Sequence, residues 1–409
     1  MMIKFKEFNN LDKSELENIK KVLDSKVLSG FLGQKGDNFL GGKYVRRFEN
    51  KFKEYVKCKY SISVNSWTSG LIACVGSIGV EPGDEIILSP WTMSACAMSI
   101  LHWNCIPIFA DIDPQTFNID PKSIEKNITK KTKAIMVIDI FGHPAPYKEI
   151  LKIAKKNKLR VISDSAQSLG AKYYGKHSGI QSDIGGYSFN VHKHLNTGEG
   201  GMIVTNNKLL AERCRILRNH GENIMNNSIK KSSMKNMIGF NFRMTEIESA
   251  IGLAQLKKLK YVVKSKQLIA KKLNVGLDKL KGLKIPKINK NCTSTYYNYA
   301  LIIDDKIIKT SKKDIIKKLR SNNIPVSGSY MNLHLLPIFK KQVGYGTNKF
   351  PWSLNKKKYE YKKGDCPIAE NMNDKWYIGL NMWKYDYNNS DINYIVNSFK
   401  KVWSSLKFK

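Results

Sequence analysis

The sequence has no closely spaced cysteine pair, and this absence removes two kinds of structural site. Its seven cysteines are odd in number, irregularly spaced and never arranged as Cys-x-x-Cys. A disulfide framework or a structural zinc site is therefore not expected, because both depend on paired or regularly spaced cysteines. Reduced thiols instead favour a cytoplasmic protein, and we expect no bound metal.

Signals for secretion and for membrane insertion are also lacking. The N-terminal segment Met1–Lys6 has no apolar core of the kind that a signal peptide requires. The stretch Ile86–Ala110 contains no Asp, Glu, Lys or Arg, and it is long enough to raise the question of a membrane helix. Because Pro90 and Pro107 interrupt it, we predict a strand, a helix and a second strand in the core of a soluble protein.

Acidic residues are scarce. Asp and Glu number 34 against 69 Lys and Arg, which gives a formal net charge of +35. Nucleic-acid binding remains a remote alternative on this ground, but no basic block alternates with aromatic residues as in single-strand binders. The densest lysine runs, Lys126–Lys133 and Lys356–Lys358, are interpreted as solvated surfaces. The positive field is expected to attract an anionic substrate such as a sugar nucleotide.

Short apolar strands alternate with amphipathic helices in the first half of the chain. The predicted strands are Ser61–Val64, Glu85–Leu88, Ile106–Ala110, Ala134–Ile138, Arg160–Ser163 and Met202–Val204. Helices are predicted between them, for example at Thr68–Ile78 and Tyr147–Lys156. Strands that alternate with helices predict an α/β fold with a mostly parallel sheet covered on both faces.

The second half of the chain has a different pattern. A long helical periodicity begins near Thr245 and leads the chain away from the sheet. Shorter patterns follow it, namely Tyr296–Ile303, Lys312–Arg320 and Asp391–Leu406. We predict a large domain over residues 1–257, with an N-terminal arm to about residue 44, and a smaller domain over residues 258–409. The aperiodic segment His334–Tyr361 is predicted to be a long loop over the functional site.

Hydroxyl side chains are concentrated where predicted strands end. The segment Asn65–Gly70 follows a strand and opens a helix. The amide groups and hydroxyls of this segment can bind an anion, because helix N-termini carry unpaired N–H groups and partial positive charge. An ordinary helix N-cap is the commoner use of Ser and Thr at such a position. Ser188, at the end of another strand, is a further candidate ligand for phosphate.

Lys193 and Asp164 are the candidates for direct participation in chemistry. Asp164 ends the strand that begins at Arg160, and Lys193 precedes the glycine-rich turn Gly198–Gly201. A lysine amine can form a Schiff base with an aldehyde cofactor and then act as base and acid. A carboxylate beside a pyridine nitrogen keeps that nitrogen protonated. A pyridoxal phosphate (PLP) enzyme needs both groups, whereas a helix cap and a surface lysine are the plain alternatives.

Two nearby motifs could suggest a dinucleotide site or a metal site, but the sequence supports neither. Gly198–Gly201 precedes a strand, whereas the dinucleotide-binding fingerprint follows a strand and opens a helix. His192 and His194 have no third ligand nearby in the sequence, so they are weak evidence for a metal site.

In their order and spacing, these segments resemble the DegT/DnrJ/EryC1/StrS family of PLP-dependent sugar aminotransferases, which have the fold type I of aspartate aminotransferase. The resemblance covers nearly the whole chain and is carried by Ser29–Gly36, Phe48–Phe52, Val64–Leu71, Gly83–Ile87, Phe109–Pro114, Ser163–Gln167, Ser188–Lys193, Leu217–Gly221, Gly239–Glu246 and Cys366–Glu370. It implies a large domain with a mostly parallel seven-stranded sheet and a smaller C-terminal α/β domain.

The resemblance also implies a role for each candidate residue. Lys193 would be the Schiff-base lysine, Asp164 would pair with the pyridine nitrogen, and Gln167 with the ring hydroxyl. Three hydroxyl side chains would bind the cofactor phosphate, namely Thr68, Ser69 and Ser188. Asn241 would reach the phosphate held by the neighbouring subunit, so that the active enzyme is expected to be a homodimer.

The chain departs from the family pattern at two positions of the expected cofactor site. Trp67 stands where the family usually has glycine, and Met93 where an aromatic residue usually stacks on the cofactor ring. The thioether of Met93 can pack on the ring, or Trp67 or Trp91 can take that place. Trp91 and His334 are further candidates for contact with substrate.

The activity that the resemblance implies is the transfer of an amino group from an amino acid, with L-glutamate the expected donor, to a nucleotide-linked keto-sugar. The cofactor would become pyridoxamine phosphate during the cycle, and the product would serve polysaccharide or glycoconjugate biosynthesis. A PLP-dependent sugar 3-dehydratase and a cyclitol aminotransferase are the alternatives. One branch of the family has histidine at the lysine position and removes a sugar hydroxyl, and Lys193 argues against that branch.

Overall fold

A computed structural model describes residues 4–33, 36–221, 236 and 238–409. Residues 34–35 of the segment Ser29–Gly36 and the first three residues of the predicted arm lie outside the described residues. The described strands are β1 (Tyr60–Val64), β2 (Glu85–Leu88), β3 (Ile106–Phe109), β4 (Thr132–Ile138), β5 (Arg160–Asp164), β6 (Lys172–Tyr173), β7 (Lys176–His177), β8 (Ile184–Ser188), β9 (Gly201–Thr205), β10 (Leu283–Lys284), β11 (Tyr299–Ile303), β12 (Val326–Ser327) and β13 (Tyr377–Leu380).

The described helices include the long one that the apolar periodicity predicts. They are α1 (Lys13–Asp24), α2 (Lys43–Val56), α3 (Trp67–Ser77), α4 (Ser94–His102), α5 (Pro121–Asn127), α6 (Tyr147–Lys156), α7 (Lys208–Arg218), α8 (Glu246–Leu277), α9 (Lys312–Ser321), α10 (Pro337–Lys340), α11 (Pro367–Asn371) and α12 (Asn389–Ser404). A capping box begins α8, because the Thr245 side chain accepts from the Glu248 amide and the Glu248 side chain accepts from the Thr245 amide.

The large sheet confirms the predicted α/β architecture. Seven strands lie in the order β1-β9-β8-β5-β4-β2-β3. All adjacent pairs are parallel except those of β9, which runs antiparallel to both β1 and β8. Strands β2, β3, β8 and β9 are buried along their whole length. Such burial is expected for strands covered by helices on both faces.

A second sheet forms in the C-terminal part of the chain. Four antiparallel strands lie in the order β10-β11-β13-β12, and their core includes Leu301, Ile378 and Phe399. Helix α8 continues without interruption past residue 257, where we placed the end of the large domain. That boundary stays a prediction, since the helix serves both parts: it packs against α1 and α2 as well as against α12.

The topology gathers several strand ends at one edge of the large sheet. Strands β1, β4, β5 and β8 finish at this edge because they run in the same direction. Strand β9 begins there, since Gly201 pairs with Val64 and with Ser188. Asp164 and Ser188 are the last residues of β5 and β8. Ligands collect at the carboxyl edge in open α/β sheets, so the fold directs attention to these positions.

Only the start of the segment His334–Tyr361 lies near this edge, where His334 contacts Phe109 at the end of β3, contrary to our prediction of a loop over the site. Three side chains bind it to the opposite edge, where strands begin: Asn355 donates to the Gly83 carbonyl, Tyr359 to Glu85, and Tyr361 to the Pro107 carbonyl. Two of its aromatic rings, Phe339 and Tyr361, are buried against Phe109. The segment therefore contributes to the core, and the need to bury these rings explains its position.

The charge-free stretch Ile86–Ala110 forms β2, α4 and β3, as predicted. Within the residues that the structure describes, no helix is both long and apolar enough to cross a membrane.

Candidate active site

A cavity of about 460 Å³ opens at the carboxyl edge of the large sheet. Its walls come from residues that end or follow β1, β2, β4, β5 and β8, and from the C-terminal part of the chain. The lining residues include Trp67, Thr68, Met93, Asp164, Gln167, Ser188, Lys193, Tyr297 and Tyr330. The cavity therefore brings together most of the residues that the sequence singled out, although they are scattered over more than 100 positions.

Lys193 lies in the turn between β8 and β9. Its amide donates to the Asn190 carbonyl at 2.9 Å, and its ammonium lies 4.5 Å from the centroid of the Tyr297 ring. Burial lowers the pKa of the Lys193 amine to about 8, while the negative charge of Asp164 acts in the opposite direction. An amine with this pKa is partly neutral near physiological pH, and the neutral form is the nucleophile and the base.

Asp164 is buried at the end of β5 with its carboxylate held from three directions. The Trp67 indole N–H donates to Oδ1 at 2.8 Å, and the Ala166 amide donates to the same oxygen at 3.0 Å. The Cys96 thiol donates to Oδ2 at 3.0 Å. Burial raises the pKa of Cys96 well above its ordinary value, so the sulfur carries its proton. The carboxylate thus faces the cavity in a fixed orientation.

Gln167 lies on the cavity wall beside Asp164. Its side-chain oxygen accepts from the Phe141 amide at 2.7 Å, which points the amide nitrogen toward the Tyr330 hydroxyl at 3.1 Å. Burial raises the pKa of Tyr330 far above its ordinary value, so this hydroxyl is neutral. The side chain of Gln167 can therefore donate to an oxygen of a bound ring.

The hydroxyl residues at the start of α3 separate into two groups. Ser66 is the helix N-cap, since its side chain accepts from the Ser69 amide at 3.1 Å. The Ser69 hydroxyl is buried 2.9 Å from the Ser66 hydroxyl and does not line the cavity. Thr68 is exposed, and Thr68 and Ser188 both line the cavity. The cap interpretation and the anion-site interpretation of this turn are therefore compatible.

Asn241 lies outside the cavity of the single chain. It is exposed, its side-chain oxygen accepts from the Arg243 amide at 3.3 Å, and its carbonyl accepts from Asn65. The predicted role across a subunit interface stays a prediction.

The two departures from the family pattern have different surroundings. Met93 precedes α4, lines the cavity and is 59% exposed. Trp67 is only 5% exposed, and its indole is engaged with Asp164. Of the two, Met93 is therefore the side chain whose surface is free for contact with a ring.

The two candidate substrate contacts, Trp91 and His334, do not line the cavity. Trp91 is fully buried and stacks on Tyr330 with ring centroids 5.6 Å apart. His334 is also fully buried, with its Nε2 2.9 Å from Glu370. Trp91 lies behind the cavity-lining Tyr330, and His334 contacts Phe109 rather than the cavity, so any effect of either residue on substrate would be indirect.

Sequence reasoning missed Tyr297, Tyr330 and Cys96. The two tyrosines come from the C-terminal part of the chain, more than 100 residues after Lys193, and no local motif marks them. The adjacent pair Tyr296-Tyr297 is the single signal that could have indicated an aromatic wall. His192 also lines the cavity, but the described residues contain no group of three or more His, Cys, Asp or Glu side chains that could hold a metal ion.

Comparisons with known proteins agree with this geometry. Residues 13–397 match the DegT/DnrJ/EryC1/StrS aminotransferase family. The chain is similar to the spore coat polysaccharide biosynthesis protein SpsC of Bacillus subtilis, with 31% identity covering 89% of this chain and 92% of that protein. It is also similar to GDP-perosamine synthase of Escherichia coli O157:H7, with 30% identity over 97% of both chains.

A solved structure shows the same fold. The aminotransferase from Psychrobacter cryohalolentis superposes with a TM-score of 0.84 at 24% identity, covering 98% of this chain and 100% of that one. The family match extends over both sheets and includes every cavity residue described above. The chain therefore belongs to the DegT/DnrJ/EryC1/StrS family of PLP-dependent aminotransferases.

Proposed function

We propose that this enzyme transfers an amino group from an amino acid, with L-glutamate as donor, to the ketone of a nucleotide-linked keto-sugar. The observation that carries the proposal is the cavity shared by Lys193 and Asp164, in which an amine with a pKa of about 8 faces a carboxylate. An amine nucleophile, a carboxylate and a helix N-terminus with a free hydroxyl are the groups that PLP requires. The cavity residues therefore fit this cofactor.

Five of the cavity residues have a role in the proposal. Lys193 would hold PLP covalently, Asp164 would accept from its ring nitrogen, and Gln167 would donate to its ring hydroxyl. Thr68 and Ser188 would bind the phosphate, with Ser69 supporting the helix turn from behind. When bound, PLP carries the amino group between the two substrates and withdraws electrons from the carbon that exchanges a proton.

Proton transfer would be the second task of Lys193. Its lowered pKa allows the amine to accept a proton from the substrate carbon and to return it without a large free-energy cost in either direction. General acid–base help of this kind contributes roughly 10²- to 10⁴-fold in rate.

The name of a similar protein and the net charge of this chain both support a nucleotide sugar as the substrate. The similar protein GDP-perosamine synthase is named for a nucleotide-linked product. The formal net charge of +35 would attract a diphosphate. The relative SpsC is named for polysaccharide biosynthesis, and we propose the same context for this product. We place the enzyme in the cytoplasm because all seven of its cysteines are free thiols.

A homodimer is part of the proposal. Asn241 would contribute its amide to the phosphate in the partner's cavity. Three apolar side chains are largely exposed in the single chain: Met93, Val191 and Ile238, at 59%, 53% and 71%. A second subunit that covered them would remove this apolar surface from water. Val191 is two residues from Lys193, and Met93 lines the cavity.

The experiment is an amine-transfer assay with a panel of nucleotide keto-sugars and L-glutamate, followed by mass spectrometry. Transamination replaces a carbonyl oxygen with an amine, whereas the alternative dehydratase activity removes a hydroxyl, and the two product masses differ. Lys193→Ala is expected to abolish both the visible absorption of the bound cofactor and turnover. An unchanged rate in that variant would refute the mechanism.

A further inference from the structure

The carboxylate of Asp164 receives a hydrogen bond from a distant part of the chain. The Ala166 amide that donates to Oδ1 is only two residues away, so that contact is a local turn. The Trp67 indole donates to the same oxygen at 2.8 Å from the first turn of α3, 97 positions earlier in the sequence. This contact ties the end of β5 to a different element, and it restricts rotation of the carboxylate in a way that the local turn does not.

The surroundings of Trp67 are built to hold the indole in this place. A Cβ atom added at Gly186 of β8 would come within 2.5 Å of the Trp67 ring, and one added at Gly70 of α3 would come equally close. A Cβ atom at Gly201 of β9 would lie 2.9 Å from the Trp67 Cα. Three glycines on three elements thus leave the space that this side chain occupies, so its orientation is determined by packing.

We propose that Trp67 is a positioning residue for the cofactor ring, which acts by fixing the Asp164 carboxylate at the ring nitrogen. This inference rests on the proposed role of Asp164 as partner of that nitrogen. Hydrogen bonds to a charged group are short and strong, and the Trp67 bond is of this kind. Cys96 holds the second oxygen at 3.0 Å, so the plane of the carboxylate is defined from both sides.

The test compares the wild type with Trp67→Phe, which keeps a ring in the glycine-lined space but removes the N–H donor. Two quantities are measured on the apoprotein reconstituted with PLP: the dissociation constant of the cofactor, and the pH midpoint of its visible band. We expect affinity to fall about tenfold, the usual effect of losing one hydrogen bond to a charged group. The midpoint should move to higher pH, because a looser carboxylate leaves less positive charge on the ring.

A matched control is available in Trp352→Phe. Trp352 is 2% exposed and its indole donates to the Tyr361 hydroxyl at 2.8 Å, so burial and bond length both match those of Trp67. It lies in the segment that packs on the opposite edge of the sheet. This variant should show the same affinity and the same midpoint as the wild type, even if its thermal stability falls.

Unchanged affinity and midpoint in folded Trp67→Phe would overturn the inference while leaving the proposed function intact. A wild-type protein that never develops a visible band with PLP would instead overturn the proposed function. If Trp67→Phe does not fold, site-specific incorporation of benzothienylalanine at position 67 replaces the N–H with sulfur at nearly constant shape. The same loss of affinity and the same midpoint shift are expected from that protein, and their absence would refute the role of Trp67.

Discussion

Two neighbouring effects act in opposite directions on the pKa of the Lys193 amine. Removal from water disfavours its charged form, and the carboxylate of Asp164 in the same cavity favours it. The face of the Tyr297 ring, 4.5 Å from the ammonium, adds a cation–π attraction. Burial outweighs the attraction of the carboxylate, and the pKa of the amine is about 8, against an ordinary value of 10.5.

This lowered pKa predicts a particular pH dependence of cofactor incorporation. The neutral fraction of the Lys193 amine increases as pH rises and reaches half at a pH of about 8. The rate at which apoprotein gains its visible band with PLP should therefore rise about tenfold per pH unit below that point and level off above it. Stopped-flow absorbance measures this rate, with Nα-acetyl-lysine as the control whose rate keeps rising toward pH 10. A protein profile that followed the free amine would contradict the burial of Lys193.

Replacement of Tyr297 tests how much the aromatic ring contributes to the pKa of the Lys193 amine. In Tyr297→Leu the ammonium loses the attraction of the ring face, so the midpoint of the same profile should fall by about half a pH unit. Tyr297→Phe keeps the ring and should keep the midpoint. A fall of equal size in both variants would assign the effect to the hydroxyl instead.

Lys193 and Asp164 could be found in the sequence because each belongs to a short local pattern, a strand end followed by a turn. Tyr330 could not, since its contact with Gln167 spans 163 positions and depends on how two sheets are joined. The bond from Trp67 to Asp164 was missed for the same reason, although both residues were singled out. Patterns within a segment identify which residues are reactive, but only the tertiary fold determines their partners.

Among the secondary structure elements, α2, β1 and α7 are joined by one buried ion pair. Arg218 of α7 is fully buried and donates to Glu49 of α2 at 2.7 Å, while Glu49 also accepts from the Ser63 amide of β1. Glu49→Ala would leave the guanidinium buried without its acid, and we expect a loss of about 3–5 kcal/mol in the free energy of unfolding. Urea denaturation measures this loss.

Glu54→Ala provides the control on the same helix. Glu54 pairs with Lys51 at 2.8 Å, but both side chains are more than half exposed, at 59% and 56%. Exposed pairs contribute less than about 1 kcal/mol, so this variant should unfold close to the wild-type midpoint. Equal losses in the two variants would show that the buried pair has no special importance for the fold.

Elements with regular periodicity were predicted well, and the aperiodic segment was not. Strand β2 and helix α6 have the bounds expected from their apolar patterns. The lack of periodicity in His334–Tyr361 predicts a loop over the site. The segment's position on the opposite edge depends on contacts of Asn355, Tyr359 and Tyr361 with strand beginnings, which no periodicity encodes.

At the scale of the whole molecule, the proposed sharing of sites between subunits can be tested by complementation. Lys193→Ala and Asn241→Ala dimers should each be nearly inactive. In a mixed dimer, one site combines an intact Lys193 with an intact Asn241 of the partner subunit, and the other site lacks both. After equimolar dissociation and reassociation, activity should return to about one quarter of the wild-type value. No recovery, with mixed dimers confirmed by native mass spectrometry, would exclude a shared site.

Borohydride reduction is the sharpest test of the proposed covalent link between the Lys193 amine and PLP. Reduction of the reconstituted enzyme fixes the link, and peptide mass mapping then locates it. Lys266 is an internal control, because burial also lowers its pKa to about 8 although it does not line the cavity. The cofactor is expected on the peptide containing Lys193 and not on the one containing Lys266. Cofactor on Lys266, or spread over many lysines, would contradict the proposed link.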